Sequence, residues 1–406
     1  MMSNDASVRG SAVPGFERLL RVFARSFGNR PGAGAALSVH RHGVPLVDIW
    51  TGDAGTEPWT ENTGTIVFSA TKGITSTVIH RLADRGELDY HAPVAEYWPE
   101  FAANGKSRIT VAQVMTHSAG LSALPPLATA MTDVLDHEEM ERRLAAAKPD
   151  RLLGRPTYHA ITYGWLLAGL ARRITGKGMG ELFRTEVTEP LAIDGLHLGH
   201  PPGGSTTKYA PLAGSQFGAL GTPLGSAVLG GGQRLPGPLG AAARCLFLPG
   251  AHSIFEGELP PILSTELGAG NAVATASALA SVYDALACEG VVGGNRYLSA
   301  ATVREIGKVR TYHVDRALFY LPMMWHLGYH SMPVPGARNG IGHIGLGGSF
   351  GWADPRQGLS VGFVHNRFSL GQLGADQIIA VWLLPLIMSS LRGAGRETSE
   401  TLRRAA

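Results

Sequence analysis

Ser69 and Lys72, in the stretch Phe68-Ser69-Ala70-Thr71-Lys72-Gly73, are the side chains whose types and spacing point most directly to chemistry. Residues three apart share a helix face, so the lysine nitrogen can reach the serine hydroxyl. A serine hydroxyl is a poor nucleophile near neutral pH and needs a neighbour that takes its proton or stabilises its alkoxide. Lysine can supply either service. The serine follows the strand-like Ile66-Val67-Phe68 and precedes the helical period of Ile74, Val78, Ile79 and Leu82. Unpaired amides and the dipole at such a helix start favour developing negative charge. A serine and a lysine at this spacing also arise by chance, so other elements must carry the assignment.

Two do. Tyr158, in Arg155-Pro156-Thr157-Tyr158-His159-Ala160, stands just before the helical pattern Thr162 to Ile174; taken alone it reads as a half-buried anchor. His343 lies in Gly342-His343-Ile344-Gly345-Leu346-Gly347-Gly348-Ser349, a Gly-rich lead into a strand; taken alone that is a bulge or a close strand packing.

In this order the three elements resemble the serine β-lactamase and penicillin-binding-protein superfamily, in particular its class C-like branch with the family VIII carboxylesterases. Ser69 to Lys72 matches the S-x-x-K motif, Tyr158-His159-Ala160 stands where the branch has Tyr-x-Asn, and His343-Ile344-Gly345 stands where it has Lys-Thr-Gly. The likeness extends through His117-Ser118-Ala119-Gly120-Leu121, Tyr163-Gly164-Trp165 and Ala353-Asp354-Pro355, and spans roughly residues 30 to 390.

The resemblance implies an antiparallel sheet flanked by helices, of mixed α/β (α+β) class, with an inserted helical domain and the active site in the cleft between them. Ser69 would be the acylated nucleophile, and Lys72 and Tyr158 would share the general-base role, the cation holding the phenol's pKa down. Backbone N–H groups of Ser69 and Leu346 would bind the oxyanion, beside Gly345. His343 would orient Tyr158 or the substrate. Ala160 lacks the amide that engages a β-lactam's acylamino group, and His343 replaces a lysine that attracts its carboxylate. A serine esterase or lipase acting on small to medium acyl esters is therefore expected. The alternatives are β-lactamase or D-alanyl-D-alanine carboxypeptidase activity, acyl transfer to an alcohol or amine, and a non-catalytic binding module on the same fold.

Two other motifs compete. Gly347-Gly348-Ser349-Phe350-Gly351 fits the G-x-S-x-G nucleophile elbow, but only Asp354, His365 and Asp376 follow as acid and histidine partners, too closely spaced for separate strand ends. Gly340 to Gly345 fits G-x-G-x-x-G, but no helix pattern follows and no acidic residue lies about 20 positions on. The histidines show no metal-binding spacing, and Cys245 and Cys288 form no C-x-x-C pair, so no metal or cofactor is expected.

The elements that must position these residues are legible in outline. Phe16, Leu19, Leu20, Phe23 and Phe27 recur at helical spacing, and Ala35–Arg41 and Val44–Trp50 read as a hairpin turning at His42-Gly43. Helices are expected over Ile109–Met115, Met131–Ala147, Thr162–Ile174 and Thr275–Cys288. Gly199–Gly240 reads as a long irregular stretch that shapes a pocket wall. Strands are expected around Trp325–Tyr329, Ser349–Ala353 and Leu359–Val364, and a closing apolar helix near Gln377–Leu391. Strands at both ends suggest an α/β domain of residues 1–120 and 300–406, interrupted by a mostly helical domain of residues 121–299.

With 406 residues, 17% charged and 44% hydrophobic, and a net charge of +3, the composition is that of a globular protein without a nucleic-acid footprint. The polar N-terminus shows no secretory signal, so a cytoplasmic location is expected, with export by another route left open. The longest apolar run, Ile378 to Met388, is too short to span a bilayer, and contact with a membrane surface stays open. The expected partner is a small-molecule ester; the sequence does not fix an oligomeric state.

Overall fold

Three strands from the start of the chain, β1 (Val8–Ala12), β2 (Gly34–Arg41) and β3 (Val44–Ala54), join four from its end, β4 (His330–Ser331), β5 (Ile341–Ile344), β6 (Phe350–Asp354) and β7 (Leu359–His365). The order is β1-β3-β2-β7-β6-β5-β4, every neighbouring pair antiparallel, with Glu57–Pro58 added beside β3. The expected fold class is the one observed. The hairpin turns at His42-Gly43, both with positive φ (51° and 73°), as a two-residue turn between twisted strands requires. The seam is β7 against β2, where Phe363 faces Leu37. The computed structural model describes residues 8–214, 222–246, 248–369 and 371–405. The polar N-terminus on which the signal-peptide expectation rests lies mostly outside them.

Eight longer helices surround the sheet: α1 (Glu17–Phe27), α2 (Thr71–Asp84), α3 (His137–Ala146), α4 (Thr162–Thr175), α5 (Pro223–Arg234), α6 (Gly237–Leu246), α7 (Ala276–Ala287) and α8 (Ile379–Ala405). Leu19, Phe23 and Phe27 of α1 pack with Leu383, Leu384, Ile387 and Met388 of α8 against Leu37, Val361, Phe363 and Trp352 on one sheet face. Burial of that many apolar side chains is the main term holding the face closed. On the other face α7, capped by Thr275 accepting from the Ala278 N–H at 3.2 Å, packs against β2, β6 and β7. Beyond it α2 and α4 form the centre of a second core with Ile74, Val78, Trp165 and Leu166.

Several sequence expectations are corrected. Gly199–Gly240 is not irregular throughout: α5 begins at Thr222, whose hydroxyl accepts from the Gly225 N–H at 3.0 Å, with Pro223 in its first turn. The Thr-Pro start signal outweighs the glycines. The part of that stretch at residues 215–221 lies outside the described residues. Met131–Ala147 breaks into a 3₁₀ turn (Met131–Leu135) and α3, because the Asp136 carboxylate accepts from the Glu139 N–H at 3.0 Å and starts a new helix. Trp325–Tyr329 is not a strand; only a single bridge joins Trp325 to His330, and β4 begins there. The strand before the serine runs Thr63–Ile66 and pairs with Ala272–Ala274 rather than with the main sheet.

The closing helix is longer than the apolar run suggested. Gly374–Gly393, 20 residues with mean hydropathy 1.5, has the length and composition to cross a membrane, and half of it is buried inside the fold. Its inner face covers the sheet, which is the reading the packing supports.

Candidate active site

Phe68 to Ala70 form one 3₁₀ turn that leads straight into α2. Phe68 has φ +45°, a left-handed conformation that costs a bulky residue about 1–3 kcal/mol and is kept where surrounding structure enforces it. Its ring is wedged against Phe255 and Phe368, with centroids 6.0 and 5.3 Å away. The kink delivers Ser69 half-exposed at the mouth of the fold, while Lys72, one turn on, is fully buried.

Lys72 Nζ donates to Ser69 Oγ at 3.1 Å and to the Ala269 carbonyl at 2.7 Å. The Ala269 carbonyl is fixed because the 268–272 segment is stitched to α2: Thr75 Oγ1 donates to the Gly268 carbonyl at 2.6 Å, and the Ala272 N–H donates to Thr71 Oγ1 at 3.1 Å. Burial holds the pKa of Lys72 well below its ordinary value, which favours the neutral amine.

Tyr158 comes from the loop before α4. Its ring lies under Lys72, with Nζ 5.0 Å from the centroid, and stacks on Trp325 at 5.7 Å and 5°. Burial pushes the phenol pKa up, and a hydrogen bond with the Ser69 hydroxyl works in the other direction. The expectation of a cation that lowers the phenol pKa is therefore corrected: the lysine lies close enough, but burial is the larger effect, pushing the phenol pKa up and the lysine pKa down.

Asp315 fastens this corner. Its Oδ1 accepts from the Tyr158 N–H at 3.1 Å and its Oδ2 from the Trp325 indole at 3.2 Å; the N–H groups of Ala317 and Leu318 also donate to it. His117 packs its ring edge against Tyr158 (4.8 Å) and Trp325 (4.3 Å), and its Nδ1 accepts from the His159 N–H at 3.2 Å. His159 in turn accepts the Leu121 N–H on Nε2 at 3.1 Å and donates from Nδ1 to the Thr157 carbonyl at 2.7 Å. Burial holds His117 well below its ordinary pKa and His159 at about 4, so both are neutral near pH 7.

Sequence reasoning missed Asp315, Trp325 and the structural part of His117. Asp315 stands in an irregular stretch with no motif, and Trp325 lies in a run whose pattern suggests a strand.

His343, on β5, is buried beside this cluster, but its Nδ1 donates to the Ile344 carbonyl at 3.1 Å and its Nε2 has no partner. Its ring is 6.3 Å from that of Tyr158, with no hydrogen bond between them, so the expectation that it orients Tyr158 is not met. Burial, with His330 beside it, holds its pKa well below the ordinary value. Ala160 is buried with Cys245 and Ala241 of α6 packed in the same cluster. Cys245 and Cys288 are both free thiols.

Gly345 and Leu346 follow β5 as the chain turns. A Cβ on Gly345 would stand 2.1 Å from the Val67 carbonyl, so only glycine lets this turn approach the backbone leading to Ser69. The Gly345 N–H is taken by the Ser349 carbonyl at 2.7 Å. The N–H groups of Ser69 and Leu346 have no protein partner among the described hydrogen bonds. Two unpaired amides, one on Ser69 itself and one on the turn that packs against the backbone leading to it, suit a developing oxyanion.

Ser349 is buried at the start of β6 and its hydroxyl accepts from the His365 N–H at 3.3 Å. The imidazole of His365 is turned away, with Nε2 donating to the Gly347 carbonyl at 2.8 Å. No strand-to-helix elbow is present, and the segment from Gly340 likewise runs strand-turn-strand with no helix to face a pyrophosphate.

A serine hydroxyl beside a fully buried amine whose pKa is lowered brings together the parts that acyl transfer uses. Set at the head of α2, against an antiparallel sheet covered by α7, it is the β-lactamase-like form of the serine hydrolases. The chain belongs to the Beta-lactamase family, whose match runs over residues 23–384. It is 48% identical over 363 residues, 89% of this chain and 83% of the relative, to Esterase/beta-lactamase LipL of Mycobacterium tuberculosis. Among solved structures it is similar to a family VIII carboxylesterase (TM-score 0.79, 29% identity, 95% of this chain and 99% of that one). It is also similar to a penicillin-binding protein homologue from Caulobacter crescentus (TM-score 0.75, 28% identity, 94% and 99%).

Proposed function

We propose that this enzyme is a carboxylesterase that hydrolyses small to medium acyl esters through an acyl-enzyme on Ser69. The observation that carries the reading is the fully buried Lys72 amine 3.1 Å from Ser69 Oγ, whose pKa burial holds well below its ordinary value. Lys72 takes the hydroxyl proton as Oγ attacks the ester carbonyl, and the N–H groups of Ser69 and Leu346 receive the oxyanion. The protonated Tyr158, bonded to Ser69, hands its proton to the departing alkoxide and is reprotonated from Lys72. Water then repeats the sequence on the acyl-enzyme.

The substrate preference follows from what surrounds Tyr158. His343 is neutral, so it supplies no charge for a substrate carboxylate, and Ala160 supplies no amide. Ala241, Cys245 and the partly buried Leu246 and Met323 give the site an apolar border. A neutral ester fits this border better than a β-lactam or a peptidoglycan stem. The double name of the Mycobacterium tuberculosis relative supports β-lactam hydrolysis as a second activity.

The test is turnover of p-nitrophenyl esters of graded chain length and of a chromogenic cephalosporin by the wild type, Ser69→Ala and Ser349→Ala. Ester hydrolysis should vanish in Ser69→Ala and persist in Ser349→Ala, with a fluorophosphonate adduct on Ser69. Activity lost only in Ser349→Ala would overturn the assignment, and faster cephalosporin than ester turnover would overturn the substrate preference.

A further inference from the structure

The turn that carries Leu346 is held by a side chain that no active-site motif contains. Gln377, at the end of a one-turn helix (Leu373–Gln377), donates from Nε2 to the Gly345 carbonyl at 3.3 Å and accepts the Gly347 N–H on Oε1 at 3.2 Å. One amide thus spans Leu346 from both sides. The Gly345 carbonyl and the Leu346 N–H belong to the same planar, trans peptide unit and point in opposite directions. Fixing the carbonyl therefore fixes the direction of the N–H, which is the one amide of residues 345–348 without a protein partner. The carbonyl accepts a second hydrogen bond from the Gly348 N–H at 3.0 Å, and two donors on one end of a peptide polarise it and strengthen the N–H at the other.

The seat beneath Gln377 is rigid. Gly348, with φ +105°, lies so close to it that a Cβ would stand 2.0 Å from the Asp376 carbonyl. Asp376 is buried in an ion pair with Arg367, whose Nε donates at 3.1 Å, and Arg367 also donates to the Ser26 carbonyl of α1 at 3.3 Å. His365 adds two more ties, its Nε2 donating to the Gly347 carbonyl and its backbone N–H to the Ser349 hydroxyl.

We propose that Gln377 is a positioning residue for the oxyanion-binding amide of Leu346. The proposal rests on the reading of Ser69 as the acylated nucleophile. It also gives the Gly347-to-Gly351 motif its place: Ser349 braces the same turn, its carbonyl accepting from the Gly345 N–H, and carries no acyl group.

The experiment compares Gln377→Met and Gln377→Glu with wild type, using Gln372→Ala on the same surface as the control and Ser69→Ala as the blank. The readouts are kcat and KM for a p-nitrophenyl ester and Ki for phenylboronic acid, whose tetrahedral adduct places an oxygen in the oxyanion position. Methionine keeps the length and removes both hydrogen bonds; glutamate keeps the acceptor and sets a carboxylate against the Gly345 carbonyl. In both, kcat should fall about 10- to 100-fold, as for a catalytic group misplaced by about 1 Å, with KM within about threefold. The boronic acid Ki should rise by the same factor as kcat/KM falls, a correlation that mere loosening of the fold does not produce. Gln372→Ala should match wild type. If one variant fails to fold, the other carries the test. Wild-type kcat, or an unchanged boronate Ki, in a folded Gln377 variant overturns the proposal while leaving Ser69 in place; activity retained by Ser69→Ala overturns the reading beneath it.

Discussion

Lys72 and Tyr158 face each other inside the protein, the amine nitrogen 5.0 Å from the ring centroid, and burial disfavours the charged form of both, lowering the lysine pKa and raising that of the phenol. An amine and a phenol are thereby set beside the same serine hydroxyl, and in the proposed mechanism the amine takes its proton while the phenol gives one to the leaving group. The same pair charged would cost several kcal/mol of desolvation, which the site avoids by keeping the proton on the phenol.

The protonation state of Lys72 makes the pH profile diagnostic. Its pKa in the folded enzyme lies well below 10.5, and the neutral form is the active one, so kcat/KM rises as pH climbs through that lowered value and is level well before pH 10. Measurement of ester kcat/KM from pH 5 to pH 10.5 checks this; a rate still climbing tenfold per unit at pH 10 contradicts it. Lys72→Arg, which cannot deprotonate, should lose activity by about 10³-fold or more, although it keeps the positive charge.

Tyr158→Phe keeps the ring that stacks on Trp325 and removes only the hydroxyl. It should lower kcat about 10²- to 10⁴-fold with little change in KM, the range for loss of a proton-transferring group. An equal loss for the phenyl and p-nitrophenyl esters of one acid would contradict the role in protonating the leaving group, because the better leaving group needs that proton less.

Asp315 holds Tyr158 through the backbone rather than through the phenol, so Asp315→Ala tests position alone. It leaves the Tyr158 N–H and the Trp325 indole without acceptors in a buried place, at a cost of about 1–3 kcal/mol each. A Tm lower by several degrees together with a reduced kcat is expected, and Asp315→Asn, which still accepts on one oxygen, should fall between Asp315→Ala and wild type. A variant with lowered Tm and wild-type kcat would show that the corner is only structural.

What the sequence made legible divides by range. Ser69 and Lys72 are three residues apart, and the hairpin at His42-Gly43 is closed by its own turn, so local pattern alone places both. Tyr158 and Leu346 come to the serine from far along the chain, and only the resemblance to a family brought them in. Asp315, Trp325 and Gln377 act through single hydrogen bonds or ring contacts across the fold, which no periodicity records. The direction of the pKa shifts is illegible for the same reason: Lys72 is buried among groups far along the chain, the Ala269 carbonyl and the Tyr158 ring, and no local pattern measures that. Glycine content likewise hid α5, whose Thr222-Pro223 start signal was present in the sequence.

Gly345→Ala tests the approach of the Leu346 turn to the serine. A methyl group 2.1 Å from the Val67 carbonyl cannot be accommodated without moving one backbone away from the other. The oxyanion amide then shifts relative to Ser69, and kcat should fall by about 10²-fold, as on loss of an oxyanion donor. Labelling of Ser69 by a fluorophosphonate should slow by a similar factor, since it passes through the same geometry. Wild-type kcat in this variant would mean that the Leu346 amide does not take part.

The buried histidines set an acid limit on the fold. His80 is held at about 3, and His159, His330 and His365 at about 4, in each case chiefly by burial, against an ordinary value of 6.5. The unfolded chain therefore binds more protons than the folded one between about pH 6.5 and pH 4, and stability falls as pH drops through that window. Each group costs about 3 kcal/mol by pH 4, so four together reach about 12 kcal/mol, within the 5–15 kcal/mol typical of a folded domain. Thermal unfolding followed from pH 7.5 to pH 4 should show a steep loss of Tm that begins near pH 6.5. His80 bonds through Nδ1 to the Tyr90 hydroxyl and through Nε2 to the Leu327 carbonyl, away from Ser69. His80→Gln should therefore lower Tm at pH 7.5, where the ring contacts with Tyr90 and Tyr329 are lost, yet flatten the acid slope, because one titrating group is gone. A variant slope as steep as that of wild type would remove His80 from the set that limits acid stability.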